Sequence, residues 1–305
     1  MLEIYFKTVR DTSFTLIDTF RPGSWIYVKE ASLDDLGKIV EITGLDLADI
    51  RDCLDKYELP RIEHLDENII FFVRHPDEYE VGLYTNTLTM ILTNNSVIAI
   101  SPHRSDIIEQ LIASNTTLGT TQKAKLILHI LLKITQDYTN SIKKVRHSIL
   151  EPRQGNLIDS NSIISLMKNE EILNQYLTSL VPMRNLLETM AAGRYVNLYE
   201  QDVDLLDDLM IAIRQSEDVC RVNIKSIRSL RDSYQIMFTN DVNRTIKLLT
   251  ALTVIVTIPT IIASIYGMNV KLPFQNSAYA FIMIIGITII GTIVAIFLFL
   301  RKRWL

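Results

Sequence analysis

The chain has 305 residues, a formal net charge of -4, 48% hydrophobic residues and 22% charged residues. Its charged fraction is ordinary for a soluble domain, but the last fifth is far more apolar, which predicts a soluble body attached to a membrane at one end. Mild acidity gives no reason to expect a nucleic-acid partner.

In chain order, Met1-Leu2-Glu3-Ile4-Tyr5 opens as a strand and lacks the pattern of a signal peptide. Residues 2–8, 25–29, 68–74, 83–92 and 96–101 are rich in β-branched and aromatic residues and predict strands, with a tight turn at Asn94-Asn95. Helical patterns intervene after the N-cap candidate Ser32, over 46–56 and over 103–113, so a layered α/β domain is expected. Cys53 and Cys220 lie far apart and read as buried thiols rather than a disulfide.

From residue 121 the strand signals stop. Residues 121–150 and 161–190 predict two helices, with turn signals at Pro152 and Gly155 between them. No glycine occurs between Gly193 and Gly267, and no proline between Pro182 and Pro259. One helix over about 202–266 would be close to 100 Å long at 1.5 Å per residue. Leu206, Met210, Ile213, Val219, Ile224 and Ile227 suit a packed stalk, at spacings that fall short of a strict heptad.

Residues 248–265 carry no charge, and 278–300 are almost wholly apolar. Each can cross a hydrocarbon core of about 30 Å once, and Tyr266-Gly267-Met268-Asn269 ends the first crossing. Arg244, Lys247, Arg301, Lys302 and Arg303 flank one side, whereas the turn carries only Lys271. The positive-inside bias therefore puts both termini in the cytoplasm of a multi-pass protein of the cytoplasmic membrane. The expected divisions are an α/β domain (1–120), a helical hairpin (121–200), a stalk helix (201–246), a first span (247–267), an external loop (268–277), a second span (278–300) and a basic tail (301–305).

Within the first span, Thr253, Thr257, Thr260 and Ser264 recur every three or four residues and fall within roughly 60° of arc. Thr250 and Leu249 lie at the edge of that arc, and Asn243 falls close to it at the inner surface. Such hydroxyls also pack helices or bond their own backbone, and Pro259 has the bland role of bending a helix. The continuity of the stripe, from the Asn243 amide to the Asn269 amide, favours a pore lining. Uncharged oxygens suit a cation that keeps its water, and Mg²⁺ sheds its shell reluctantly.

Asn243-Arg244-Thr245-Ile246-Lys247-Leu248-Leu249-Thr250, Pro259-Thr260 and Tyr266-Gly267-Met268-Asn269 resemble the CorA-type magnesium transporters, whose signature is the Gly-Met-Asn triplet. The soluble part matches too, at Trp25-Ile26-Tyr27-Val28 and Leu59-Pro60-Arg61-Ile62-Glu63. The resemblance implies an α/β cytoplasmic domain, a long helical stalk and two membrane helices, assembled as a homopentameric funnel within membrane lipid. It implies a selectivity filter at Asn269, Gly267, Met268 and Tyr266, and a pore lined by Ser264, Thr260, Thr257, Thr253, Leu249 and Asn243. It also implies that cytoplasmic Mg²⁺ closes the pore by binding acids between subunits. Asp208 and Asp204, in the cluster Asp202, Asp204, Asp207 and Asp208, match that sensor, with Glu78 and Glu80 as weaker partners; an acidic helix start is the plain alternative.

Many family members carry an acid soon after the asparagine, whereas this chain has Val270-Lys271-Leu272-Pro273-Phe274. Ion preference is therefore less fixed than fold, and a related branch carries Zn²⁺. No phosphate-binding loop of the G-x-x-x-x-G-K-[ST] form is present, and the membrane potential suffices to drive a divalent cation inward. His64, His75, His103, His129 and His147 are scattered, no catalytic constellation stands out, and neither enzyme activity nor an organic cofactor is expected. The readings are a gated Mg²⁺ channel that also passes Co²⁺ or Ni²⁺, a Zn²⁺ transporter on the same scaffold, or a non-conducting anchored sensor.

Overall fold

Alternating β-branched and aromatic residues build a seven-stranded sheet from β1 (Leu2–Phe6), β2 (Thr15–Leu16), β3 (Ser24–Val28), β4 (Arg61–Leu65), β5 (Asn68–Glu80), β6 (Leu83–Leu92) and β7 (Ser96–Ile100). The order is β2-β1-β3-β7-β6-β5-β4. Only β3 and β7 run parallel; the other neighbours are antiparallel. The computed structural model describes residues 1–65, 67–80, 82–114, 118–150, 160–193, 199–270, 272–273 and 279–304. Pro152, Gly155, Lys271, Phe274 and the side chain of Glu80 lie outside the described residues.

Both faces of the sheet are covered. Ile26 and Val28 of β3 join Ile70, Phe72, Ile98 and Ile100 beneath α1 (Leu33–Thr43) and α2 (Leu47–Ile50). Trp25 points to the opposite face, where Tyr5 and Phe14 ring it. Ser32 caps α1 in a capping box with Asp35, and Gly44 at φ 72° ends it. The helix expected over 46–56 breaks instead into α2 and a 3-10 turn over Arg51–Leu54. The tighter winding eclipses residues three apart, so Ile50 and Cys53 both reach the same core.

Two strands escape the sequence pattern. β2 has two exposed residues, and β4 reads Arg-Ile-Glu-His-Leu; both are sheet edges, where polar residues discourage further pairing. β5 runs past Arg74 to Glu80, with a register shift between Pro76 and Glu80. Arg74 is buried and satisfied, bonding Thr85, Thr87 and the carbonyls of Lys56 and Glu58.

The other sheet face receives α3 (Asp106–Ala113), α4 (Lys123–Leu150) and α5 (Ser160–Ala191). Tyr138 of α4 donates to the Arg74 carbonyl at 3.1 Å, and Gln175 of α5 donates to the Gly82 carbonyl at 2.7 Å. α6 (Glu200–Tyr266) is one helix of 67 residues. Its first part packs on α4 and α5 through Thr139–Ser216, Arg184–Glu217 and Arg228–Glu170. There Leu206, Leu209, Ile213, Ser216, Cys220, Asn223 and Ile227 are buried at alternating spacings of three and four. The seam is thus a regular heptad after all; polar Ser216 and Asn223 hide it from a count of apolar residues alone. Both cysteines are buried and free, and burial pushes each thiol up to about 12, which leaves them inert.

The chain divides into Met1–Arg228 and Ser229–Leu305. The second unit holds the rest of α6 and α7 (Ala280–Arg301). Two described helices, α6 and α7, are long and apolar enough to cross a membrane.

Candidate functional site

The membrane part of α6 has two unlike faces. Ala251, Ile255, Ile258 and Ile262 are buried or half-buried on one side of α6, and α7 meets that side at Ile258 and Ile262. A methyl group placed on Gly291 of α7 would sit 3.6 Å from Ile258 Cγ2. The α7 side of this contact is Ile284, Thr288, Gly291, Thr292, Ala295 and Phe299, mostly small residues at helical spacing. Small residues let two backbones approach where lipid supplies no hydrophobic drive.

Thr253, Thr257, Thr260 and Ser264 are all exposed. At 100° per residue their mean direction lies roughly 160° from the mean direction of the α7-facing residues. α7 therefore covers one side of α6 and leaves the hydroxyl stripe open on the other. Thr250 shares that open side, Leu249 is 64% exposed at its edge, and Asn243 is exposed further along.

The hydroxyls have a common orientation. Thr253 donates to the Leu249 carbonyl at 2.8 Å, Thr257 to Thr253 at 2.7 Å and Thr260 to Val256 at 2.8 Å. A hydroxyl has one proton to donate, so each spends it on the helix and keeps only acceptor capacity for anything outside. The Thr253, Thr257 and Thr260 oxygens thus form a row of lone pairs with no free proton and no fixed charge. It can receive hydrogen bonds from the water shell of a cation and offers nothing to an anion.

At the C-terminal end of α6 the Gly267 amide still bonds the Ala263 carbonyl at 2.9 Å, after which the helix stops. Met268 and Asn269 follow in bends and are exposed, free of the helical phase. Tyr266 is the last residue of the helix. Helical phase turns it toward α7, where it lines an apolar cleft of about 610 Å³ with Pro259, Ile262, Phe281, Ile284 and Thr288.

The family described as CorA-like Mg²⁺ transporter protein matches residues 23–303. The chain belongs to that family. The cobalt/magnesium transport protein CorA of Methanocaldococcus jannaschii is 23% identical over 92% of this chain and 91% of its own length. The structure of a CorA magnesium transporter from that organism superposes with a TM-score of 0.82 at 21% identity, covering 100% of this chain and 99% of the other. A ZntB cytoplasmic domain from Vibrio parahaemolyticus aligns at TM-score 0.64 and 12% identity, over 78% of this chain and 97% of its own; that likeness is one of fold.

In this CorA-family chain the expected sensor acids lie at the start of α6, in the first unit. Asp204 and Asp208 are exposed one turn from each other on α6, while Asp202 is buried. Among the described residues no three acidic, histidine or cysteine side chains gather to hold a metal. Glu78 pairs with Lys168 at 3.0 Å in its own chain. Sequence reasoning missed the α7 contact face, although its signal is present: Thr288, Gly291, Thr292 and Ala295 interrupt an otherwise bulky apolar run.

Proposed function

We propose that this chain carries Mg²⁺ across the cytoplasmic membrane as a gated channel, with the open stripe of α6 facing a pore shared by several copies. The observation that carries this reading is the placement of four aligned hydroxyl residues, three of them acceptor-only, on the α6 face that α7 leaves bare. A lipid-facing surface gains nothing from such a row. A path for a hydrated cation needs one.

In this reading Asn269 carboxamide oxygens, repeated around a ring of five, accept hydrogen bonds from the waters of the entering ion. Gly267 lets neighbouring chains approach closely there, and Met268 backs the ring. Ser264, Thr260, Thr257 and Thr253 then pass the ion inward with its water kept. Leu249 forms an apolar constriction and Asn243 an inner polar ring. Tyr266 stands behind the path against α7. The drive is electrical, about 2.3 kcal/mol per charge per 100 mV and twice that for a divalent ion.

Asp208 and Asp204 act as the closing sensor in this scheme. Both carboxylates point outward, and hard oxygen ligands fit Mg²⁺. One chain alone supplies too few ligands, so a neighbouring copy completes the shell. Lys271, where many members have an acid, keeps Zn²⁺ as the competing cargo. Proteoliposomes loaded with a Mg²⁺-sensitive dye test the proposal, with Co²⁺ and Zn²⁺ measured in parallel. Mg²⁺ influx from the parent chain, reduced at least tenfold by Asn269→Ala, is the expected result. Unchanged influx in that variant would remove the filter assignment, and Zn²⁺ flux without Mg²⁺ flux would replace the cargo.

A further inference from the structure

The far end of α7 is an ordered cationic cap. The Trp304 amide bonds the Phe299 carbonyl at 3.0 Å, and the Arg303 amide bonds the Leu300 carbonyl at 3.1 Å. Arg303 takes φ 54°, the left-handed conformation that normally falls to glycine at this point of a helix end. The Trp304 ring folds back on Phe299, with centroids 5.6 Å apart and planes 29° from parallel. This pair of bonds and the apolar contact between the same two residues fix Arg301, Lys302 and Arg303 around the helix end, all exposed. A side chain in a strained backbone position, where glycine would serve the cap better, points to a use for the side chain itself.

The same level of α6 is also cationic. From the Ile258–Gly291 contact, about ten residues along each antiparallel helix bring Arg301 opposite Leu248, within a turn of Arg244 and Lys247. Residues 242–305 contain six lysines and arginines and no aspartate or glutamate. Among the described residues, no ion pair reaches any of these five inner cations. Five cations of one sign beside hydrocarbon, with an indole at the boundary, match the charge and depth of an anionic phospholipid headgroup.

We propose that Arg301, Lys302 and Arg303, with Arg244 and Lys247 across from them and Trp304 as the interfacial ring, bind anionic phospholipid headgroups in the cytoplasmic leaflet. This rests on the reading that the α6–α7 hairpin spans the membrane with this end inside. Each cation near a charged leaflet is worth roughly fivefold in lipid partitioning, so removing three costs on the order of a hundredfold at low salt. The lipid complements a charge that no aspartate or glutamate of residues 242–305 neutralises.

The chain has two tryptophans, Trp25 sealed in the sheet core and Trp304 at the cap, so Trp304 fluorescence reports lipid contact against a constant background. The full chain would be reconstituted into vesicles of brominated phosphatidylglycerol or brominated phosphatidylcholine, and quenching compared at equal lipid. Stronger quenching by phosphatidylglycerol is expected, and it should vanish in the combined variant Arg301→Gln, Lys302→Gln, Arg303→Gln. Arg303→Gly, which relaxes the backbone and keeps the cap, should lose only a part of the preference. Equal quenching by both lipids overturns the lipid site while leaving the membrane hairpin standing. Quenching by neither overturns the membrane reading as well. If millimolar inorganic phosphate abolishes the preference, the site takes free anions and the proposal fails.

Discussion

Thr257→Val isolates one oxygen of the stripe with little other disturbance. Valine keeps the β-branched shape, and the hydroxyl it removes donates only to the Thr253 carbonyl at 2.7 Å, a back-bond that slightly destabilises a helix. The fold should therefore lose less than about 0.5 kcal/mol. Conduction loses an acceptor for the ion's water shell, worth about 1 kcal/mol net, or about a fivefold fall in flux for each hydroxyl that engages the ion. Repetition around a ring makes fivefold the lower bound. Thr288→Val is the matched control, because its hydroxyl makes the same kind of back-bond, at 2.8 Å to the Ile284 carbonyl, but sits half-buried on the α7 face toward α6. Dye-reported Mg²⁺ influx into proteoliposomes should fall at least fivefold for Thr257→Val and stay within twofold for Thr288→Val. Flux unchanged in the first, or equally damaged in both, refutes the argument that the uncovered face is the conducting one.

Asp208→Ala should leave initial influx intact and weaken its inhibition by millimolar internal Mg²⁺; identical inhibition curves would dismiss the sensor. His75 is fully buried, and burial holds its imidazole below the usual histidine range, with Arg74 acting the same way and Asp77 and Asp137 opposing. The folded state then stays neutral while the unfolded chain takes up a proton below about pH 6.5. Stability is complete above that pH and falls as pH drops toward the folded-state value, by at most about 1.4 kcal/mol per unit from this group. His75→Leu should shrink the difference in denaturation midpoint between pH 7.5 and pH 5.5; an unaltered difference would place the proton uptake elsewhere.

The sequence by itself determined what depends on local chemistry. β-branched runs fixed where β3, β6 and β7 lie, because strand preference and alternation act over a few residues. The absence of glycine and proline from 194 to 258 let α6 run unbroken out of the bundle, and it continues through Pro259 to Tyr266. The period of threonine in α6 gave the stripe, since helical phase is set by position alone. Tertiary structure decided whatever needs a partner. Only packing reveals that Ser216, Cys220 and Asn223 complete a heptad, that two polar edges pair as β2 and β4, and that Tyr266 turns toward α7. It also decided which side of α6 stays bare. A stripe of hydroxyls reads alike whether it packs or conducts; the small residues of α7 choose the opposite face, and that choice leaves the oxygens free.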